Sequence, residues 1–152
     1  MITETQIEVK NWFDQTYSHK GFKYLRPVNA YYIFATLLQP KPGSKHLDVA
    51  CGLGLMLKAL EKNDVKTYGI DLSSEAIKQC KTFCLDAIVE EGNAEKLTFN
   101  DETFDSITCI GSLERMLNRE KALSEQFRVA KSGAEICYMV RNAENFTWKY
   151  LL

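Results

Sequence analysis

The feature that most constrains the fold of this chain is a short apolar segment that runs into a turn with two glycines. Residues 47–54 read LDVACGLG, and a helical pattern of apolar residues follows immediately. A second strand pattern, residues 65–70, ends on an acid, Asp71. A strand, a glycine turn, a helix, a second strand and an acid together indicate a nucleotide-type pocket at the edge of a parallel sheet.

Strand and helix patterns alternate along the chain from residue 45 onward. We predict strands at 45–50, 65–70, 87–89, 104–110 and 134–140, and helices at 53–62, after Ser73 or Ser74, and after Asn118. Parallel neighbours need a crossover connection, so the alternation predicts an α/β fold with a parallel sheet flanked by helices. The last helix is predicted to turn Leu123, Phe127 and Ala130 inward.

Two further helical patterns precede this alternation, one at residues 4–17 and one that begins near Pro27. With 152 residues, the chain is long enough for one domain and too short for two comfortable ones. We therefore predict a single domain in three parts: a helical extension or lid over 1–43, an α/β core over 44–142, and a tail over 143–152.

Charge and hydropathy disfavour several classes of partner. Lys and Arg total 19 against 20 Asp and Glu, so the net charge of −1 gives no electrostatic reason to expect a nucleic acid or an anionic membrane. No apolar run approaches the roughly 20 residues of a transmembrane helix, and the first residues do not follow a signal-peptide pattern. We expect a cytoplasmic protein that binds neither nucleic acid nor membrane.

The five cysteines are odd in number and fall inside predicted strands and helices, which argues against a disulfide framework. Cys80 and Cys84 share a helical face and could in principle hold a metal. No second Cys or His pair stands at a zinc-like spacing, however. We expect buried thiols and no metal site.

Details of the glycine turn indicate which ligand it would hold. A dinucleotide-binding turn has a third glycine that lets the helix pack closely on the strand, and Leu57 occupies that place. Asp48 stands near the position of a pyrophosphate, and the chain has no P-loop sequence. An acid before two glycines suits a ligand that carries a positive amine and no phosphate.

On these residues the sequence resembles the class I, Rossmann-like S-adenosylmethionine-dependent methyltransferases, and within them the small-molecule branch that includes the ubiquinone/menaquinone C-methyltransferases. Residues 47–54 match the first motif of that family, with Ala50 where glycine is frequent. Residues 68–73, YGIDLS, resemble its second-strand motif. In that motif the acid takes both ribose hydroxyls and the next apolar residue packs on adenine, roles that the resemblance gives to Asp71 and Leu72.

Later segments continue the resemblance, which covers residues 45–140. Residues 92–97, GNAEKL, are similar to a segment whose polar second residue meets the adenine amino group, and Asn93 stands where Asp is more usual. The segment after strand four, GSLE, resembles one that lies beneath the methionine part of the cofactor. Arg115 follows it where a His is common. Glu114 and Arg115 either face a substrate or form the solvated start of a helix.

The resemblance implies S-adenosyl-L-methionine as the cofactor. The predicted cofactor-binding residues are Tyr17, Asp48, Ala50, Cys51, Gly52, Gly54, Asp71, Leu72, Asn93, Ala94 and Ile110. The N-terminal helices of this family close over the cofactor, so Tyr17, with Gly21 and Phe22 behind it, is the predicted lid. Two alternatives stay open: Asp71 could only cap the following helix, and Asn93 could be an ordinary loop residue.

The implied function is methyl transfer to a small-molecule acceptor, and the alternative is a non-catalytic cofactor-binding or interaction protein on the same fold. No catalytic base can be named, because His46 is expected at the end of its strand far from the pocket. The family's sheet has seven strands and the pattern here accounts for five, so the last two are expected to be missing. The chain is then either a truncated product or a natural short form. An exposed fifth strand or the apolar tail would favour a homodimer.

Overall fold

The computed structural model describes residues 4–142 of the chain. Five strands form one sheet in the order β3-β2-β1-β4-β5, and every neighbouring pair is parallel. The strands are β1 (Lys45–Val49), β2 (Lys66–Asp71), β3 (Ile88–Glu91), β4 (Phe104–Ile110) and β5 (Ala130–Met139). The predicted five-stranded parallel sheet of a Rossmann-like α/β fold is therefore confirmed. The predicted tail lies outside the described residues.

The helices are α1 (Glu4–Lys20), α2 (Asn29–Leu38), α3 (Leu55–Leu60), α4 (Ser74–Phe83) and α5 (Arg119–Val129), with short 3-10 turns at Gly21–Tyr24 and Leu113–Arg115. Two predicted caps are confirmed. The Ser73 hydroxyl accepts from the Ala76 N–H at 3.1 Å, and the Asn118 side chain accepts from the Lys121 N–H at 3.0 Å. Among the described residues, no helix is long and apolar enough to cross a bilayer.

Helices cover both faces of the sheet, and alternating residues of β5 show which helix lies where. Ile136 and Tyr138 pack in the cluster that contains Val129 of α5, whereas Cys137 packs with the buried residues of α2 and α3. Successive side chains of a strand point to opposite faces. The two clusters are therefore separate layers on the two faces of the sheet. The carboxyl ends of the strands form the edge of the sheet between these layers.

The predicted inward face of α5 was wrong. Phe127 is 62% exposed, and the fully buried residues are Ala122, Gln126 and Val129. The buried stripe contains a polar residue, which the apolar pattern assigned to the surface. Gln126 is tolerated there because its amide nitrogen donates to the Ala122 carbonyl at 3.1 Å, so that half of its amide is satisfied inside the helix.

The cysteine thiols are free, and those of Cys51, Cys80, Cys84 and Cys109 are buried, as the sequence predicts. Within residues 4–142 no group of three or more potential ligand side chains has a metal-binding arrangement. The Cys84 thiol donates to the Gly54 carbonyl at 3.3 Å. The Cys80 and Cys84 thiols pack against Gly54, on the underside of the glycine turn.

Candidate cofactor site at the carboxyl edge of the sheet

The turn after β1 has a backbone that few residues other than glycine adopt. Gly52 and Gly54 have φ values of +52° and +84°, in the left-handed region. A Cβ atom on Gly52 would lie 2.8 Å from the Tyr17 hydroxyl oxygen, and one on Gly54 would lie 2.6 Å from the Cys80 sulfur. Both positions therefore require glycine twice over, for conformation and for space.

Ala50 shares this left-handed backbone, with φ of +59°. An L-residue with a Cβ pays roughly 1–2 kcal/mol for that conformation. Alanine in place of the more frequent glycine therefore strains the backbone at the first residue of the turn. Its methyl side chain is small enough to leave the cavity open.

The missing third glycine is explained by a glycine on the neighbouring strand. A Cβ on Gly69 of β2 would lie 2.9 Å from the Leu57 Cδ1 atom and 2.9 Å from the Cys51 sulfur. The glycine that lets helix α3 pack closely on the sheet is therefore Gly69, on strand β2, and not a residue of the helix. Leu57 of α3 fills the space that a glycine on the helix would otherwise open.

Asp71 ends β2 and ties that strand to the glycine turn. Its carboxylate accepts from the Gly52 N–H at 2.8 Å through one oxygen and from the Ser73 N–H at 2.9 Å through the other. The side chain is 7% exposed, and burial raises its pKa to about 6. A carboxylate can accept about four hydrogen bonds, so each oxygen keeps capacity for a ligand hydroxyl besides its role at the start of α4.

Asp48 lies in β1 and is 4% exposed. The Thr108 hydroxyl of β4 donates to its carboxylate at 2.7 Å. Burial raises the pKa of Asp48 to about 7, and the negative charge of Asp71 adds to the rise. The buried carboxylate would be stabilised by a cation placed beside it.

His46 is closer to this site than its place in the sequence indicated, because its imidazole is linked to Asp48 through one hydroxyl. Its Nδ1 lies 2.9 Å from the Ser106 hydroxyl and its Nε2 lies 3.0 Å from the Thr108 hydroxyl. Since the Thr108 hydroxyl donates to the Asp48 carboxyl, its oxygen accepts from Nε2–H, and Nδ1 accepts from the Ser106 hydroxyl. Burial lowers the pKa of His46 to about 3, so the ring is neutral.

This hydrogen-bond network was not predicted, although the sequence contains a pattern that indicates it. His46 and Asp48 alternate along β1, and Ser106 and Thr108 alternate along β4. The register of β1 and β4 places His46 opposite Ser106 and Asp48 opposite Thr108. Polar residues at the same alternate positions of two central strands share one face of the sheet and must bond to one another.

A first cavity, of about 90 Å³, lies between α1 and the carboxyl ends of β2 and β3. The sheet side of its wall carries four of the predicted residues: Asp71, Leu72, Asn93 and Ala94. The helix side carries Gln6, Val9, Phe13 and Tyr17 of α1, at the spacing of one helical face. The cavity is therefore covered by the predicted lid helix.

A second cavity, of about 390 Å³, is lined by the remaining predicted residues apart from Gly54. Asp48, Cys51, Gly52 and Ile110 line it, and Ala50 and Tyr17 line both cavities. Gly54 lines neither cavity and lies beneath the turn against Cys80 and Cys84. The structure thus brings together all the predicted cofactor residues except Gly54.

Tyr17 is 5% exposed, and burial raises the pKa of its hydroxyl. The lid helix is held to α4 by Asp14, whose carboxylate accepts from the Ser73 hydroxyl at 2.6 Å and from the Glu75 N–H at 3.1 Å. Phe22 lines neither cavity and packs edge-on against Phe83, with ring centroids 4.8 Å apart. Of the predicted lid residues, Tyr17 therefore lies over the turn, and Gly21 and Phe22 do not.

The loop after β3 is ordered by its own side chains and by α5. The Asn93 side-chain oxygen accepts from the Glu95 N–H at 2.9 Å, which uses one of its two lone pairs. Arg128 donates to the Phe99 carbonyl at 2.9 Å and to the Leu97 carbonyl at 3.1 Å. The loop wall of the first cavity is thus anchored from behind.

Three arginines in the second cavity were not among the predicted site residues: Arg26, Arg115 and Arg141. Arg26 lies over the end of β4, since a Cβ on Gly111 would be 3.4 Å from its guanidinium nitrogen. The pKa of Tyr31 is raised by burial and by the charge of Asp48, and the Arg26 guanidinium opposes that rise. Arg26 and Asp48 are therefore opposite charges around one tyrosine.

Comparisons with known proteins agree with this geometry. Residues 47–138 match the methyltransferase domain family. The chain is 28% identical over 146 residues to the ubiquinone biosynthesis O-methyltransferase of Alkalilimnicola ehrlichii, covering 93% of this chain and 59% of that protein. It is 34% identical over 108 residues to the demethylmenaquinone methyltransferase of Bacillus mycoides, covering 66% and 46% of the two chains.

A solved structure with the same fold is that of a putative methyltransferase from Bacillus halodurans. It has a TM-score of 0.72 and 25% identity, and the likeness covers 81% of this chain and 56% of that one. The chain therefore spans between 46% and 59% of the length of these three proteins. Methyltransferases of this family and fold use S-adenosylmethionine. On its sequence match and its fold, the chain belongs to the methyltransferase domain family.

Proposed function

We propose that the two cavities bind S-adenosyl-L-methionine and that the protein transfers its methyl group to a small-molecule acceptor. In this proposal the first cavity holds the adenosine. Asp71 accepts from the ribose hydroxyls, Leu72 packs on adenine, and Asn93 and Ala94 border the adenine amino group. The second cavity holds the amino-acid part, beneath Tyr17 and along Ala50, Cys51, Gly52 and Ile110, with Gly54 shaping the turn.

The amino-acid part of the cofactor carries both a positive amine and a negative carboxylate. The buried Asp48 suits the amine. Arg26 suits the carboxylate, because it lines the same cavity and lies across Tyr31 from Asp48. Opposite charges at a site of low dielectric are worth more than in water.

The observation that carries the choice of cofactor is the bond from the Gly52 N–H to Asp71. Sites for dinucleotides direct the turn's N–H groups at a pyrophosphate. Here that N–H already donates to a carboxylate, and a second carboxylate, Asp48, lines the same cavity. Two acids around the turn repel a phosphate and favour a ligand that has hydroxyls and an amine.

S-adenosylmethionine supplies, when bound, a methyl group on a positively charged sulfur that is already a good leaving group. The chain therefore needs mainly to bind and orient. Tyr17 and Phe13 of α1 exclude water from above the turn, while Asp71 and Asp48 fix the two ends of the cofactor. Alignment of reacting groups can be worth about 7–11 kcal/mol.

Calorimetry with S-adenosylhomocysteine and with NAD on the same preparation tests the cofactor choice. We expect S-adenosylhomocysteine to bind and NAD to give no response. Tight NAD binding without a response to S-adenosylhomocysteine would overturn the proposal.

The alternative is a protein that binds the cofactor without catalysis. Incubation with methyl-labelled cofactor and a panel of small acceptors separates the two functions. Label found in a product supports transfer, and binding without any labelled product supports the alternative.

We also propose that the protein is cytoplasmic and has no nucleic-acid partner. We propose further that it forms a homodimer through β5. β5 pairs with β4, and no other described strand pairs with its free side. An unpaired strand edge is a template for association. Light scattering at high protein concentration is the test, and a strictly monomeric mass would count against the dimer.

A further inference from the structure

One arginine of the second cavity lacks the partners that the others have. The Arg115 guanidinium lies 5.9 Å from the ring centre of Trp12 and 5.7 Å from that of Phe13. Within residues 4–142, its side chain makes no hydrogen bond to another group and no ion pair. Arg141 differs, since it lies 3.5 Å from the Glu114 carboxylate. Arg115 therefore has five N–H donors available to a ligand.

The position of Arg115 indicates which ligand this is. Arg115 lines both cavities, as do Ala50 and Ser112. The adenosine and the amino-acid part of the cofactor meet at its sulfur, so the junction of the cavities is where an acceptor must approach. A guanidinium held against two aromatic rings at that junction is preorganised for a planar anion.

The carboxylates that line the cavities are those of Asp48, Asp71 and Glu95, and each has a hydrogen-bond donor. Glu114, the neighbour of Arg115 in the chain, lines neither cavity and faces the Arg141 guanidinium at 3.5 Å. Asp48 accepts from Thr108, and Asp71 accepts from two backbone N–H groups. Glu95 accepts from the Gln6 amide at 3.1 Å and from the Asn118 N–H at 3.0 Å. No histidine of the described residues lines either cavity. A guanidinium cannot take a proton, so no carboxylate or histidine among the described residues that line the cavities is left as an uncommitted general base.

We propose that the acceptor is a small planar molecule whose nucleophilic atom is already anionic at neutral pH, such as a carboxylate, an enolate or an acidic phenolate, and that Arg115 binds it. This inference rests on the proposed function. An electron pair of the anion forms the bond to the methyl carbon, the carbon–sulfur bond breaks, and its electron pair goes to sulfur. The products are a neutral methylated acceptor and S-adenosylhomocysteine, so no proton has to be removed and no base is needed.

The test uses the full chain saturated with S-adenosylhomocysteine, titrated with benzoate, benzamide and benzylamine and followed by NMR. These probes share a ring and differ in charge. We expect benzoate to bind at least tenfold more tightly than benzamide, and benzylamine to bind least. Equal affinities for the three probes in protein that binds S-adenosylhomocysteine would overturn the inference while leaving the proposed function intact. A failure to bind S-adenosylhomocysteine would overturn both.

Variants of Arg115 separate its role from a structural one. Arg115→Gln should abolish the preference for benzoate, Arg115→Lys should retain it in part, and both should bind S-adenosylhomocysteine within about twofold of the parent protein. Lys121→Gln removes a positive charge from the exposed first turn of α5 and should change nothing. Loss of S-adenosylhomocysteine affinity in Arg115→Gln, as large as the loss for benzoate, would assign the guanidinium to the cofactor and contradict the inference.

Discussion

The glycine turn after β1 and the polar face between β1 and β4 hold the two acids of the site in different ways. In the turn, Asp71 is held by the Gly52 N–H, whose position follows from the left-handed conformations of Ala50 and Gly52. On the polar face, Asp48 is fixed by a side-chain hydroxyl that is itself held by His46. The first arrangement depends on backbone geometry, and the second depends on a chain of donors across two strands.

The largest effect is expected in the turn. Gly54→Ala should lower the free energy of unfolding by about 2–5 kcal/mol, because strain in the left-handed region adds to overpacking against Cys80 and Cys84. Urea denaturation measures it. Gly133→Ala is the matched control, since Gly133 has a similar φ of +80° and nothing within 4 Å of its Cβ position. The control should cost only about 1–2 kcal/mol, and equal losses at both sites would refute the packing argument.

The next largest effect is expected on the polar face, where the free energy of unfolding should depend on pH. The pKa of Asp48 is about 7 in the folded protein, above its ordinary value of 3.8, mainly through burial. Between these values the folded state binds a proton that the unfolded state does not, so stability falls as pH rises from about 4 to 7. In the ligand-free protein, Asp48→Asn should remove this loss, which is a few kcal/mol at about 1.4 kcal/mol for each pKa unit.

Unfolding free energies at several pH values between 4 and 8, compared between parent and variant, measure the Asp48 contribution. Asp71, with a pKa of about 6, acts in the same direction in both proteins. His46, whose pKa is lowered to about 3, acts in the opposite direction below about pH 6.5, again in both. The His46 contribution cancels in the difference, and the Asp71 contribution cancels except for the part that comes from its coupling to the Asp48 charge. Parallel pH profiles would show that Asp48 is not held as described.

His46→Leu tests the donor chain itself. The substitution leaves the buried hydroxyl of Ser106 without its partner, so we expect a loss of about 1–3 kcal/mol. The double variant His46→Leu/Ser106→Ala removes that orphaned hydroxyl and should recover part of the loss. Chemical denaturation of the parent protein, the single variants His46→Leu and Ser106→Ala, and the double variant is the measurement. A double variant less stable by the sum of the single losses would contradict the chain.

The smallest expected effect is a gain in stability from a substitution in the glycine turn. Ala50→Gly relieves the left-handed strain at φ of +59° and should raise the free energy of unfolding by about 0.5–1 kcal/mol, after the greater flexibility of glycine in the unfolded chain is counted. A urea titration detects this shift. Ala30→Gly in helix α2, where the backbone is right-handed, should destabilise, and a loss at both positions would count against strain at Ala50.

The contrast between the two regions explains what could be predicted from the sequence. Residues 104–110 were predicted as β4 with the observed limits, and the turn was recognised because its glycines and Asp71 are local requirements of the backbone. His46 was placed far from the pocket because its link to Asp48 passes through Thr108, sixty residues away along the chain. Arg26 was missed for the same reason, since it reaches the second cavity from a separate loop. For Arg115 the sequence left a substrate role and a solvated helix start both open.

Helix α3 shows the same limit on a smaller scale. Its predicted start at residue 53 was two residues early, because Gly54 caps the helix in a left-handed conformation that apolar periodicity does not reveal. The inward face of α5 was displaced because Gln126 satisfies half of its amide within the helix. In each case a backbone conformation or a hydrogen bond outweighed the apolar pattern.

The most direct test of the site combines two ligands with two variants in one calorimetric experiment. S-adenosylhomocysteine has the amino-acid part that methylthioadenosine lacks. Asp71→Ala should weaken both ligands by roughly 1–3 kcal/mol, since it removes an acceptor for the ribose hydroxyls. Asp48→Asn should weaken S-adenosylhomocysteine and leave methylthioadenosine unchanged. If both variants bind both ligands as tightly as the parent protein, the two acids do not hold the two ends of the cofactor and the account is wrong.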